Sequence, residues 1–373
     1  MGGFGGFGGF GGFGGFGGFG GFGGFGSGGG TGLAGLGAFT PSPAADPLTA
    51  DGLIQTAQGL LHIADAASGP GEAADLPAGS PSNLPAYANW VRASLYITEL
   101  LRDIDWRMSA ATTPAFELRL GDGPILTIER PPLSLFVDQV ALVRDYMDLR
   151  GERGAEILSQ VGYPTDYFAS ILGLTAARNP RTVELISIAQ VLASHIVMLP
   201  KHYLSCRRPD KLGAVMPMIP TPAHPTLPSG HATEAFSVAT VLEGLLQATA
   251  AMGHYRNPRL LTQLVFKQAE RIAANRTVAG VHYPIDSWAG AATGEAVGRL
   301  ILRKCGVAAE LQPLHYRAKN IDFFASEFRP DLWDGEVASE RTGLERGESL
   351  PDGEPSPLFK WLWDKTLDEF RLG

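Results

Sequence analysis

"PTPAHPTLPSGHATEAFSVATVLEGLLQATA", residues 220–250, joins a proline-stiffened approach to a long helical pattern. Pro220, Pro222, Pro225 and Pro228 restrict the backbone around His224, and Ser229-Gly230-His231 stand where the helix begins. Beyond them Ala235, Val238, Ala239, Leu242, Leu245 and Leu246, with Thr249 on the same face, form an apolar stripe at helical spacing over 232–252. The same periodicity predicts helices over 133–149, 152–161, roughly 181–199, 258–275 and 283–303, and a last one in "LFKWLWDKTLDEF". The fold class is therefore mainly α, a helical bundle with long connections. In "SWAGAATGEAVGRL", Gly290, Gly294 and Gly298 fall every fourth residue. Glycines are poor helix formers, so their gain there is close approach to a neighbouring helix.

Outside the helices the chain divides by composition. Residues 1–30 hold eight Gly-Gly-Phe repeats, Gly2 to Phe25, then a glycine-rich stretch. Paired glycines lose much backbone entropy on folding and isolated phenylalanines build no core, so a disordered low-complexity tail is expected. A tether that self-associates is the sharper alternative. Residues 31–83 read as an Ala/Gly/Pro-rich linker with one amphipathic stretch, carried by Leu53, Ile54, Ala57, Leu60, Leu61 and Ala64. A packed domain is expected over 84–373. At its start "YANWVRASLYITELLRDIDWRM" reads as helical, with Trp90, Leu95, Ile97 and Leu101 in the core. "FELRLGDGPILTIE" is a hairpin candidate turning at Asp122-Gly123, and "RGESLPDGEPSP" a polar loop.

Charge and targeting narrow the function. A net charge of −8 argues against a general nucleic-acid surface. Arg92 is the first basic residue, so no basic leader segment is expected. The apolar run "LISIAQVLASHIVMLP" is short and carries Gln190 and His195, which predicts no membrane span. Cys206 and Cys305 show no metal-ligand spacing and suit reduced thiols, although two cysteines could also pair. A cytoplasmic location follows as the default expectation.

Three segments, spanning 201–286, carry the chemistry. In "KHYLSCRRP", Lys201 and Arg208 are seven apart, on one face if the segment is helical, with Pro209 ending the helix. Such a pair suits an anionic ligand, or simply a solvated basic helix end. In "PSGH", Ser229 takes a capping position and Gly230 admits a close ligand, so the helix start is an anion site with His231 inside it. In "NRTVAGVHYPID", Asp286 lies four residues after His282 and can fix its tautomer, while Arg276 reaches the same place across a bend at Gly280. Lys201, Arg208 and Arg276 with a hydroxyl, a backbone N–H and two histidines make an inventory for an oxyanion such as phosphate. His282 could then attack phosphorus, with His231 protonating the leaving oxygen and later activating water.

The order K-x₆-R-P, P-S-G-H and R-x₅-H-x₃-D resembles the signature of type 2 phosphatidic acid phosphatases, bacterial class A acid phosphatases and vanadium-dependent haloperoxidases. That resemblance implies a helical bundle of the acid phosphatase/vanadium haloperoxidase type. It implies His282, His231 and Asp286 as catalytic residues, and Lys201, Arg208, Ser229, Gly230 and Arg276 as phosphate- or vanadate-binding ones. Asn275 departs from the serine usual at its position. The first expectation is a phosphohistidine-forming hydrolase of small phosphomonoesters that needs no cofactor. The second is a vanadate-dependent haloperoxidase acting on halide and hydrogen peroxide, in which His282 is the metal's protein ligand. His224 matches a histidine beside the pocket of bromoperoxidases, or is a loop histidine bonded to backbone. The third is a scaffold assembled through its tail. Cys206 reads as a small helix residue rather than an activated thiol, and His195 as a satisfied core residue.

Overall fold

Apolar residues at helical spacing need partners on more than one side when the helix is central, and this governs the architecture. The computed structural model describes residues 76–109, 113–308, 310–324 and 336–371, together with Trp333 and parts of 51–59. The Gly-Gly-Phe tail and most of the amphipathic stretch from Leu53 lie outside the described residues; Ile54 is helical and exposed. The helices are α1 (Asn89–Leu101), α2 (Leu133–Tyr146), α3 (Arg150–Ser159), α4 (Thr165–Leu172), α5 (Pro180–Ile196) and α6 (Met198–Leu204). They continue with α7 (Gly230–Ala250), α8 (Pro258–Val278), α9 (Pro284–Lys304), α10 (Glu336–Thr342) and α11 (Pro357–Arg371). Strands β1 (Ile104–Ser109), β2 (Ala115–Leu120), β3 (Gly123–Glu129), β4 (Leu314–Tyr316) and β5 (Leu344–Arg346) form one sheet in that order. Its neighbours are antiparallel except β3 and β4, which are parallel.

Helix α9 is buried almost throughout, held between α7, α5 and the sheet. The stripe expected on α7 is buried, but so is the face bearing Thr233, Ser237 and Thr240. Thr233 and Thr240 are satisfied locally, donating to the Ser229 and Phe236 carbonyls at 2.8 Å, and Ser237 donates across to the Ala189 carbonyl of α5 at 3.3 Å. They therefore tolerate an apolar interior. Opposite them lie Gly290, Gly294 and Gly298. A Cβ on Gly294 would sit 2.4 Å from the Thr233 carbonyl oxygen, and one on Gly298 2.6 Å from Thr240 Cβ. The two backbones meet along this ridge. Its consequence lies at the helix starts, where the Ser229 N–H donates to the Asp286 carbonyl at 2.9 Å.

Several local expectations change. The helical reading of residues 87–108 ends at Leu101, and Ile104–Ser109 becomes strand β1 on the edge of the sheet. Trp90 is exposed, and Leu95 and Leu101 are half-buried; the inward face is Ala93, Tyr96, Ile97 and Leu100. Arg92 also turns inward, bonding Glu184 through Nε and Nη2 at 2.7 and 2.9 Å. Two residues along a helix is more than half a turn, so turning the paired Arg92 inward leaves Trp90 on the opposite, outer face. The hairpin turns at Gly121-Asp122, one residue earlier than expected, because Gly121 supplies the positive φ of +59° and Gly123 pairs with Leu120. Pro180–Lys211 is long and apolar enough to cross a membrane, since α5 and α6 follow one another almost without a break; 78% of its most apolar window is buried inside the protein. Here α7, α9, α11 and α1 cover α5.

Candidate active site

The site forms where the starts of α7 and α9 lie side by side. Pro284 is the first residue of α9, so His282 precedes the helix instead of sharing a turn of it. Asp286, at the third helical position, accepts the Tyr283 N–H at 3.0 Å through Oδ2 and the His282 Nδ1 proton at 2.9 Å through the same oxygen. The pairing expected from helical spacing is present, made by a capping interaction. The bend at Gly280 is real, with φ +79°, and Arg150 ties the end of α8 through bonds to Val278 and Ala279 carbonyls at 2.9 and 3.2 Å.

Lys201 and Arg208 do not share a helix. The backbone turns left-handed at Ser205 (φ +47°), α6 ends, and Arg208 arrives on extended chain. Cys206 accordingly is not a helix residue; its buried thiol is pushed up to about 12, which leaves it unreactive. Both cysteines are free. Lys201, 1% exposed, donates to the carbonyls of Pro225 and Thr226 at 3.1 and 3.0 Å and to that of Pro228. Its ammonium thus fastens the proline-rich loop while leaving its charge within the site. Arg208 donates to the Val281 carbonyl at 2.7 Å, and its Nη1 lies 3.4 Å from His282 Nε2. It also donates to the His224 carbonyl at 2.9 Å, with Nη2 3.2 Å from His224 Nδ1. The same Nδ1 lies 3.1 Å from the Pro225 carbonyl, so His224 bonds backbone, as the plain loop reading expects, with its ring beside Arg208. His195 bonds the Val191 carbonyl at 3.0 Å, as a satisfied core residue would.

Ser229 caps α7, accepting the Ala232 N–H at 3.4 Å. The N–H groups of Gly230 and His231, in the first turn, have no carbonyl to bond within the helix. His231 Nε2 donates to the Gln160 carbonyl at 2.9 Å, so in the neutral ring Nδ1 carries the lone pair. Gln160, which ends α3, also receives Arg276: its side-chain oxygen accepts Nη2 at 3.1 Å. Arg276 Nε is buried without a partner among the described residues. Asn275 donates to the same Gln160 oxygen at 3.0 Å, which gives the departure from serine a definite use.

Electrostatics follow from burying several cations together. Burial, then Arg208 and Lys201, hold His282 well below the ordinary histidine range. Burial and Arg276 lower His231 to about 3, and burial and Lys201 lower His224 to about 4. Burial lowers Arg208 and Arg276 to about 10, and burial followed by Arg208 puts Lys201 well below the usual lysine value. Burial raises Asp286, opposed first by Thr226 and then by the Tyr283 N–H. At neutral pH His282 is a neutral imidazole, Nδ1–H toward Asp286 and the Nε2 lone pair toward Arg208. The donors gathered here are N–H groups, which suit a tetrahedral oxyanion.

Two members were not legible in the sequence. Thr226 is fully buried; its hydroxyl donates to Asp286 Oδ2 and lies 3.1 Å from His282 Nδ1. Nothing but its place in the proline-rich run marked it. Gln160 lies 115 residues from Asn275, too far for any local pattern. Thr226→Val removes a hydrogen bond to a buried carboxylate, worth about 1.5–3 kcal/mol. The carboxylate's pKa rises as that donor is lost, and holding His282 as its Nδ1–H tautomer takes the ionised form. The acid limb of the pH–rate profile should therefore move up by about one pH unit or more, with kcat lower by about tenfold. An unmoved acid limb in the folded variant would show that Thr226 does not act on Asp286.

Buried cations around the paired starts of two packed helices define a helical bundle with an interior polar site. Residues 183–306 match the model of the PAP2 superfamily, so the segment that carries all three motifs is similar to the type 2 phosphatidic acid phosphatase superfamily. The match spans about a third of the chain and includes α5 through α9. That superfamily contains phosphatases and haloperoxidases. No curated protein matches the chain in a sequence comparison.

Proposed function

We propose that the protein hydrolyses small phosphomonoesters through a phosphohistidine on His282. The observation that carries this reading is the held state of that ring: Asp286 and Thr226 fix Nδ1, while Nε2 lies 3.4 Å from Arg208. A neutral nucleophile is thus aimed at a guanidinium that would draw in a phosphoryl oxygen. Nε2 attacks phosphorus as the bond to the leaving oxygen breaks. Arg208, Arg276 and the first N–H groups of α7 stabilise the equatorial oxygens. His231, its Nε2 tied to Gln160, takes a proton at Nδ1 when the substrate's negative charge enters, and delivers it to the leaving oxygen. Water then gives a proton to Nδ1, attacks phosphorus and frees His282.

His224 supports a second reading. Its ring against Arg208 places a further imidazole beside the pocket. Vanadate fits the same donors, including the unpartnered Arg276 Nε, with His282 Nε2 as its protein ligand. When bound it would supply activation of hydrogen peroxide toward halide. The two readings separate in one comparison on full-length protein. The phosphatase reading expects inorganic phosphate from an aryl phosphate, inhibited by vanadate, and no bromination after vanadate loading. Peroxide-dependent bromination without phosphate release would replace the first reading with the second.

A further inference from the structure

Four carboxylates are buried in the described part of the protein: Glu184, Glu234, Asp286 and Glu295. Three have donors. Glu184 holds Arg92 and Arg181, Asp286 holds His282 and Thr226, and Glu295 holds Arg346 at 2.8 and 2.9 Å. Glu234, only 5% exposed, has no hydrogen-bond or ion-pair partner among the described residues. Neither Glu234 oxygen is among the fully sealed polar atoms that lack a partner, so the little exposure the residue keeps reaches its carboxyl, which is open to a ligand or water. Its position shows where a partner would come from. Glu234 lies one turn after Gly230 and three residues after His231, on the face of α7 that meets the site. A Cβ on Gly230 would lie 4.0 Å from Lys201 Cε, so that face looks onto the lysine. The charges acting on Glu234 are Lys201 from α6 and Arg276 from α8; α5, α9 and α11, also packed on α7, contribute none.

We infer that Glu234 belongs to the oxyanion site: as a neutral carboxylic acid it donates a hydrogen bond to an oxyanion held between Lys201 and Arg276, and when ionised it repels that oxyanion. The inference rests on the oxyanion-pocket reading above, though not on the phosphatase chemistry. Burial pushes the Glu234 carboxyl up to about 8 against the pull of Lys201 and Arg276, so the acid is neutral where the site would work. Above that value a negative charge stands among the cations and cancels part of their attraction. The same group would favour release of product as pH rises.

Sulfate is the probe, because it remains a dianion throughout the range and is not hydrolysed. Calorimetric titration of the full-length protein at about pH 6 and about pH 9.5 is compared with Glu234→Gln, which keeps a donor and cannot ionise. Lys201 also loses charge with rising pH, and loses it earlier in Glu234→Gln, where the supporting charge of Glu234 is gone, so the expected gain at high pH is a net effect over that loss. At about pH 6 the two should bind sulfate within about twofold of each other. At about pH 9.5 the variant should bind at least about tenfold more tightly than the parent. Glu234→Leu, lacking a donor, should bind about tenfold more weakly at the lower pH. Equal affinities of parent and Glu234→Gln at both pH values would overturn the role of Glu234 and leave the pocket standing. No sulfate binding by the parent at the lower pH would overturn the pocket and the inference together.

Discussion

Replacing His282 with alanine should lower kcat for aryl phosphate hydrolysis by about 10⁴-fold or more while leaving the affinity for inorganic phosphate within a few-fold. The two effects separate because the ring and the cations do different work. His282 is 3% exposed and contributes a single nitrogen lone pair toward the pocket. Arg208 stays fixed without it, through the Val281 and His224 carbonyls, and Arg276 through Gln160. The anion-binding charge therefore survives while the atom that would form the phosphorus bond is gone. Asp286 retains the Thr226 hydroxyl and the Tyr283 N–H, so it is not left as a bare buried charge and the variant should fold. Circular dichroism and a thermal melt check the fold, and phosphate inhibition checks the pocket. Near-parental kcat in a folded variant removes His282 as nucleophile. A parallel loss of phosphate affinity would mean that the imidazole binds the anion instead of attacking it.

What could be read from the sequence, and what could not, divides along a physical line. Helices were legible where periodicity is long, as in α7, α8 and α9, because burial imposes a repeat on the chain itself. The motif residues were legible because fixed spacing within one segment has few uses; Asp286 does meet His282. Features made by tertiary contact were not. Lys201 and Arg208 fit a two-turn helix on paper, but Ser205 breaks the chain between them, and each cation reaches the site from its own element. The strands β4 and β5 are three residues each, too short for an alternation to show. Thr226, Gln160 and Glu234 look like ordinary loop and helix residues until folding sets them against the cations. Glu234 in particular sat inside an apolar stripe pattern that gave no reason to ask what it faced.

Gly294→Val should destabilise the protein by about 3 kcal/mol or more, and Gly294→Ala by about 2 kcal/mol, although alanine is the better helix former by about 1 kcal/mol. The obstacle is backbone: the added Cβ would lie 2.4 Å from the Thr233 carbonyl oxygen and 2.8 Å from the Ser237 nitrogen, neither of which can rotate away. Relief requires α7 and α9 to separate by about 1 Å, forfeiting contacts along the whole ridge. Gly151, in α3, has nothing within 4 Å of its would-be Cβ, so Gly151→Ala should instead stabilise by about 0.5–1 kcal/mol. Urea midpoints of the three variants against the parent decide this; a Gly294→Ala protein as stable as the parent removes the backbone-contact account. Activity should fall with Gly294→Ala even under conditions where the variant is folded. The bond from the Ser229 N–H to the Asp286 carbonyl is what sets His231, on one helix start, beside His282, on the other. Spreading the helices loosens that bond, and misplacing two reacting groups by about 1 Å costs about 10²-fold in rate. The glycines chosen for packing are in this sense part of the site's geometry, from Gly290, whose would-be Cβ meets the Ser229 carbonyl at 2.7 Å, to Gly298 further along the helix.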